Sequence, residues 1–492
     1  MPFRAFLCRL LFCAIFSVSL INVFTKATPP AAPLRQSHDA DMAVSDDFIC
    51  PESALAADVL VVLRTGATES QQKLPVHLRT TLRCVPHFVV VSDMDEEIDG
   101  VHVHDVLARV SDKTKNEHDD FKLYRHLQEH RRQGLPDLPV MTGMSGSSKG
   151  DYLRTENDGW KLDKWKFLPM LEHAYAHKPD AKWFLLLESD TYLSWANLLT
   201  YLAKFDASKP YYIGKHLYIN DIEFAYGGAG IVLSNPAMHA AIAQRSAHDD
   251  KYESFTATHW VGDCALGKVF EDIHIPLHRA FPHFQADSPF SLDPAITKID
   301  RDLWCFPAIT YHHVSPAEIA QLWTFEQQWA SARGTTLRHR DVFTWLIKHR
   351  LPLSSPSSSS PPPRDNWDNL SSLSSPTDFT AYDHSTSSNP LERNAWKSAA
   401  HCRALCEHRA SCLQFSFDVG SCRVSDKFSL GYERRGERVR SGWMLDRIED
   451  SWRALEDRCS VRDWWAPDGE GENAQSDELK KKRNTRKKRQ PS

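Results

Sequence analysis

A chain of 492 residues with 41% hydrophobic and 11% aromatic residues reads as globular and is long enough for two or three domains around a large core. Its formal net charge of −5 gives no overall bias towards nucleic acid, and the basic residues that do cluster stand at the very end. Arg4 and Arg9 flank or interrupt an apolar stretch over 6–24, which is followed by Lys26 and a Pro-rich segment. With positive charge before the run and no small-x-small site directly after it, a signal anchor is favoured over a cleaved signal. The expected order is then a cytoplasmic tail over 1–5, a transmembrane helix over 6–24 and a stem over 25–50, with everything beyond in a secretory lumen.

Cysteine usage fits that compartment. Of eleven cysteines, Cys8 and Cys13 fall in the apolar stretch, and Cys402, Cys406, Cys412 and Cys422 crowd together without zinc-type CxxC spacing. Those four, with Cys50, Cys84, Cys264 and Cys305, are the disulfide candidates. Nine cysteines outside the apolar stretch is an odd number, so one is free or pairs between chains.

The first domain, expected over 51–350, opens with ADVLVVLRTG, a strand from Val59 to Arg64 that leads into a turn at Gly66. An amphipathic stretch from Leu74 to Leu82 and a strand from Phe88 to Ser92 complete a β-α-β unit, so the two strands are expected to be parallel neighbours. Thr65, Gly66 and Ser92 to Asp95 would then share the rim that holds a nucleotide in such sheets, or Asp95 to Glu97 form a solvated acidic loop. Residues 111–158 read as an insertion or loop, and Trp160 to His177 as one helix.

Next comes KWFLLLESDTY, Lys182 to Tyr192. An apolar strand ends in Glu188 and Asp190, two positions apart and so on one side of an extended chain. Such a pair suits Mg2+ or Mn2+ with open positions for phosphate oxygens, or else caps the following helix. Further on, Gly227, Gly228 and Gly230 imply close backbone approach, either to a sugar ring or to a neighbouring strand. Asp263 reads as a general base or an N-cap, and His312 and His313 as a metal ligand at a strand end or as ordinary polar residues.

In order, the motifs LRTG, WFLLLESDTY, NLLTYLAKFD, PYYIGKHL, GGAGIVLS, GDCALGKVF and ITYHHVSP make residues 58–330 resemble glycosyltransferase family 31, most closely its core 1 β-1,3-galactosyltransferase branch. The resemblance implies an α/β, Rossmann-like GT-A fold, a UDP-sugar donor, a divalent metal (Mn2+, or Mg2+) and inversion at the anomeric carbon. It assigns Glu188 and Asp190 to the family's acidic metal motif and His312 to its C-terminal metal ligand. Asp263 takes the place of the catalytic base, Gly227, Gly228 and Gly230 form the sugar loop, and Thr65, Gly66, Asp93, Lys164 and Glu188 face the nucleotide. Two positions depart from the family: ESD stands for DDD, and Gly262 stands where an acid often precedes the base. The activity implied is transfer of a hexose, most naturally galactose in β-1,3 linkage, to a glycan acceptor such as O-linked GalNAc on a glycoprotein. The alternative is a catalytically silent carbohydrate-binding or chaperone-like member, and a secreted adhesion protein is a third reading. Golgi placement as a single-pass type II membrane protein with a lumenal catalytic domain follows, with the endoplasmic reticulum or secretion as alternatives.

Beyond Arg350, a Ser/Pro-rich stretch over 351–390 reads as a linker too polar to bury a core, and Asn369 is a glycosylation sequon exposed within it. Residues 391–465 resemble a disulfide-rich α+β PAN/apple module, which either captures the acceptor or is a structural appendage. The remainder, 466–492, reads as a charged disordered tail, with eight Lys or Arg between Lys480 and Arg489.

Overall fold

A computed structural model describes residues 48–135, 158–298, 301–333, 336–351, 362–371, 379–382, 386–434 and 438–459. The expected tail, anchor and stem up to residue 47, the loop over 136–157 and the C-terminal tail lie outside these. Among the described residues no helix is long and apolar enough to cross a membrane.

The run VLVVLR is buried at every position, as expected of a central parallel strand covered on both faces. It forms β1 (Val59–Arg64), flanked by β2 (Phe88–Ser92) with β3 (Glu96–Ile98) and β4 (Val101–Asp105) beyond it, and on the other side by β5 (Trp183–Glu188). After β6 (Tyr192–Leu193) come β7 (Tyr212–Gly214), the hairpin β8 (His216–Ile219) and β9 (Ile222–Ala225), β10 (Ile231–Ser234) and β11 (Leu277–Arg279). Eight of these make one sheet in the order β11-β7-β10-β5-β1-β2-β4-β3. β1 is parallel to both β2 and β5, as the crossover rule requires, while β10 runs antiparallel to β5. The C-terminal ends of β1, β2 and β5 therefore share one rim.

A second, three-stranded sheet fixes what faces that rim. β12 (Phe284–Gln285), a hairpin of β13 (Thr297–Lys298) and β14 (Arg301–Asp302), and β15 (Thr310–Tyr311) follow, and β15 pairs with both β12 and β6. The register sets Tyr311 opposite Tyr192, so the residue after β15 arrives beside the acidic pair after β5. Apolar clusters fill both faces of the main sheet.

Local sequence explains the departures from expectation. The expected helix over 160–177 is two, Asp158–Lys166 and Pro169–His177, because Pro169 lacks the N–H that a continuous helix needs. The first crossover helix is Ser70–Arg79, and the expected loop beyond 111 holds helices Asp112–Glu117 and Lys122–His130.

The region beyond 351 corrects one expectation clearly. β16 (Arg364–Asp365) and β17 (Trp367–Asp368) pair with strands of the C-terminal region, so residues 362–371 are not a solvated linker. Asn369 is fully buried; its amide donates to Phe415 O at 3.0 Å and Gly442 O at 3.2 Å. A glycan on that nitrogen would displace both bonds, so the expected exposed sequon is not what the structure contains. The C-terminal sheet has the order β16-β22-β19-β20-β18, where β18 is Phe379–Tyr382, β19 Gln414–Asp418, β20 Ser421–Ser425 and β22 Arg440–Trp443, with β21 (Tyr432–Glu433) pairing β17.

Disulfides join Cys50 to Cys84, Cys402 to Cys422, Cys406 to Cys412 and Cys305 to Cys459. Cys264 corrects the expected set: it is a buried free thiol directly after Asp263, and Cys459 is the partner of Cys305. That last bridge closes 154 residues of sequence and ties the helix Leu445–Arg458 to the first domain. Trp304 donates to Glu456 across the same seam, and Trp367, Trp443 and Leu455 belong to the apolar cluster on one face of the main sheet.

Candidate functional site

β5 delivers Glu188 at its last position and Asp190 two residues later, at the common rim. After β15 the chain turns sharply at His313, whose φ of +57° lies in the left-handed region that histidine tolerates better than most residues. This turn stacks the rings of His312 and His313 with centroids 3.7 Å apart. Val314 N then donates to Asp190 O at 3.0 Å, locking the two strand ends together.

His312 Nε2 lies 3.1 Å from Asp190 Oδ1 and 3.2 Å from Glu188 Oε2. Asp190, His312 and His313 each offer a ligand atom within 4.8 Å of the others. Glu188 stands beside this triad rather than in it, because its other oxygen is engaged by the Arg64 guanidinium. On the far side of Asp190, Lys73 Nζ is 3.3 Å from Oδ2.

Charge at the rim is tightly managed. Burial opposes ionisation of both acids, but Arg64 and His312 hold the Glu188 carboxyl down to about 2, and Lys73 and His312 hold Asp190 well below its usual range. Burial likewise opposes charge on His312, yet Asp190 and Glu188 raise it to about 10. Six acidic residues, Glu69, Asp93, Asp163, Glu188, Asp190 and Asp263, gather in this neighbourhood, with Arg64, Lys73, Lys166 and His312 placed among them. A triad of one carboxylate and two imidazoles in such a surplus of negative charge fits a divalent cation.

Asp263 enters from the start of the helix Gly262–Asp272. Its Oδ2 accepts from Gly227 N at 2.9 Å and its Oδ1 from Cys264 N at 2.8 Å. Burial pushes its pKa up to about 7, with Gly227 N–H pulling the other way and Glu188 adding to the rise. The N-cap of this helix is Val261, so Asp263 is not its cap but a first-turn carboxyl tuned towards neutrality.

The glycine loop is the mortar between these groups. A Cβ at Gly228 would sit 2.2 Å from the His312 ring, so only glycine permits the histidine to lie there. Gly227 passes between Phe167 and the Glu188 carboxylate, Gly230 ends the turn that starts β10, and Thr191 Oγ1 donates to Gly228 O at 2.8 Å. Through Gly227 and Gly228 the loop therefore touches Asp263, Glu188 and His312 at once. Gly262 has a related reason: a Cβ there would meet Lys164 O at 2.3 Å and Phe167 at 2.4 Å. An acidic side chain at 262 has no room in this packing.

At the ends of β1 and β2, Asp93 accepts from Ala67 N at 2.8 Å, and Lys166 Nζ lies 2.9 Å from Asp93 and donates to Thr65 O at 2.7 Å. Gly66 adjoins both charges. Arg64 Nη1 and Thr65 Oγ1 are buried without a hydrogen-bond partner among the described residues, which marks this rim as built for a ligand's polar atoms. Lys164 is not part of it: its ammonium pairs with Asp120 at 2.8 Å and donates to His259 O. Lys166, half a helical turn on, is the lysine at the rim. Sequence reading also missed Arg64, Lys73 and the contribution of His313. Arg64 carried a signal, as the charged last residue of an apolar strand on the rim. Trp160 and Trp260 are 42% and 61% exposed with rings 6.4 Å apart, Trp260 three residues before Asp263.

Residues 163–286 match the family model described as Fringe-like. The match supports a glycosyltransferase domain in this part of the chain, and the segment carries Glu188, Asp190, the glycine loop and Asp263.

Proposed function

We propose that this chain is an inverting, metal-dependent glycosyltransferase that moves a hexose, galactose in β-1,3 linkage by preference, from a UDP-sugar to a glycan acceptor such as O-linked GalNAc on a glycoprotein. The observation that carries the reading is the single loop, Gly227–Gly228, that brings Asp263 to Glu188 and His312; the loop, Asp263 and Glu188 lie in the segment similar to the Fringe-like family.

Asp190, His312 and His313 would hold the divalent cation, which when bound neutralises charge developing on the UDP diphosphate as it leaves. Arg64 and Lys73 position the two acids, and the unpartnered Arg64 Nη1 and Thr65 Oγ1 offer donors to the nucleotide. The acceptor hydroxyl attacks the anomeric carbon from the face opposite UDP. Its oxygen forms the new glycosidic bond, its proton passes to Asp263, and the sugar–phosphate C–O bond breaks with its electron pair leaving on UDP. Asp263 suits the task because it is ionised near neutral pH yet basic enough to accept a proton. Trp160 and Trp260, exposed and close to each other, with Trp260 just before the helix that carries Asp263, offer apolar faces on which the acceptor sugar can stack.

The four disulfides support an oxidising compartment, and we place the catalytic domain in the Golgi lumen behind the anchor over 6–24. The C-terminal region, proposed as PAN/apple-like, would help capture the acceptor. The test is a screen of UDP-Gal, UDP-GlcNAc and UDP-Glc with Mn2+ on GalNAc-bearing peptides, followed by linkage analysis. Metal-dependent transfer from one donor is expected; no metal-dependent transfer or hydrolysis with any of them would sink the reading.

A further inference from the structure

A second group of ligating side chains lies at the β4-β3 edge of the main sheet, beyond β2. His102 and His104 alternate along β4, so both rings leave the same face, with centroids 4.0 Å apart. Asp95, in the turn between β2 and β3, places Oδ1 2.8 Å from His102 Nε2. Asp95, His102 and His104 each present a ligand atom within 4.8 Å of the other two. From the helix Pro169–His177 a third imidazole, His173, brings its ring to 4.5 Å from His104. Its Nε2 is buried and has no hydrogen-bond partner among the described residues.

Imidazoles collected in this way do not stabilise one another: neighbouring rings repel when charged, and a buried ring nitrogen without a partner is destabilising. A bound cation removes both penalties, because each neutral ring then donates a lone pair to it. We propose that Asp95, His102, His104 and His173 form a binding site for a zinc-class divalent cation, separate from the cation of the transfer reaction. Two nitrogens and one carboxylate oxygen, with the fourth position left to His173 or to water, suit the tetrahedral preference of Zn2+, and nitrogen-rich sets favour the later first-row metals over Mn2+. The ligands come from three elements: the turn after β2, strand β4 and the helix that covers them. Occupancy would pin that helix and the turn, two residues beyond Asp93, to the sheet edge.

The test uses the full chain carrying Asp190→Asn, so that the reaction's cation site is disabled and the two sites cannot be confused. Zn2+ is titrated calorimetrically without nucleotide, and Co2+ serves as a spectroscopic probe. One Zn2+ per chain and the intense visible bands of tetrahedral Co2+ are expected. Adding His102→Ala or His104→Ala weakens Zn2+ at least tenfold and removes the bands, and adding His173→Ala weakens binding less. His102 and Asp95 are each 55% exposed, so Asp95→Asn and His102→Gln provide variants with little folding risk. Zn2+ binding that is absent in Asp190→Asn, or unchanged by His102→Ala with His104→Ala, overturns the site. Failure of sugar transfer leaves this test unaffected, since the background has already lost it.

Discussion

Among the described residues stand two triads of the same composition, one aspartate and two histidines, in opposite surroundings. Asp190, His312 and His313 sit at the rim of the sheet, where His312 is almost fully buried and flanked by Glu188, with Arg64 and Lys73 pairing the two acids. Asp95, His102 and His104 lie at the sheet edge, with Asp95 and His102 more than half exposed. The difference teaches that donor identity does not decide what a cation site does. Around Asp190 a surplus of buried carboxylates makes a site without a cation electrostatically expensive and leaves unpartnered donors for a charged ligand. Around His102 solvent screens every charge, so the site gains affinity from geometry alone.

The largest expected effects fall on the buried triad. Asp190→Asn or His312→Ala should lower transfer by three orders of magnitude or more and abolish Mn2+-dependent UDP binding, read by calorimetry. Equal substitutions at His102 and His104 should change kcat/KM by less than twofold. If both triads behaved alike, burial would not be what separates them.

Asp263 sharpens the contrast from within the rim. Asp263→Asn keeps an acceptor for Gly227 N–H but not a base, so kcat should fall by about 10²–10⁴, the range of general-base catalysis, with UDP affinity unchanged within a factor of two. Lost nucleotide affinity would instead make the role of the residue structural. Its pH dependence has a fixed sign. Burial raises the carboxyl to about 7, so the base is lost as pH falls, and kcat/KM should drop tenfold per unit below the midpoint. Because a cation nearby favours the carboxylate, that midpoint should lie at or below about 7 when Mn2+ is saturating.

Much of the rim was legible because β5 states it locally: five buried apolar residues and then two acids. What escaped depends on the third dimension. His313 joins its neighbour only through a left-handed turn, and Lys166 rather than Lys164 faces Asp93 because the two stand half a turn apart on the helix Asp158–Lys166. The burial of Asn369 runs against its Ser/Pro-rich surroundings and rests on carbonyls at 415 and 442, far along the chain. Cys459 could not be matched to Cys305 by spacing, since the two are 154 positions apart. The glycine at 262 looked like a lost acid, yet contact with Lys164 O excludes any side chain. Gly262→Asp, which introduces an acid there, should therefore reduce stability by about 1–3 kcal/mol through overpacking and lower activity with it, a result visible in thermal unfolding.

The smallest effect belongs to the exposed triad and completes the comparison. Without added metal, His102→Ala removes one bond to Asp95 at a solvated edge, so unfolding free energy should move by no more than about 0.5 kcal/mol. With Zn2+ at a hundred times its dissociation constant, a cation held only by the folded chain adds about 2.7 kcal/mol, which the variant forgoes. The wild-type chain should thus gain several degrees of thermal stability with Zn2+ while His102→Ala gains little. Because the Asp190→Asn background removes the other site, any increment that persists there can arise only at the sheet edge. An increment that persists in Asp190→Asn and is also indifferent to His102 would mean that exposed histidines in this arrangement are too loosely held to act together.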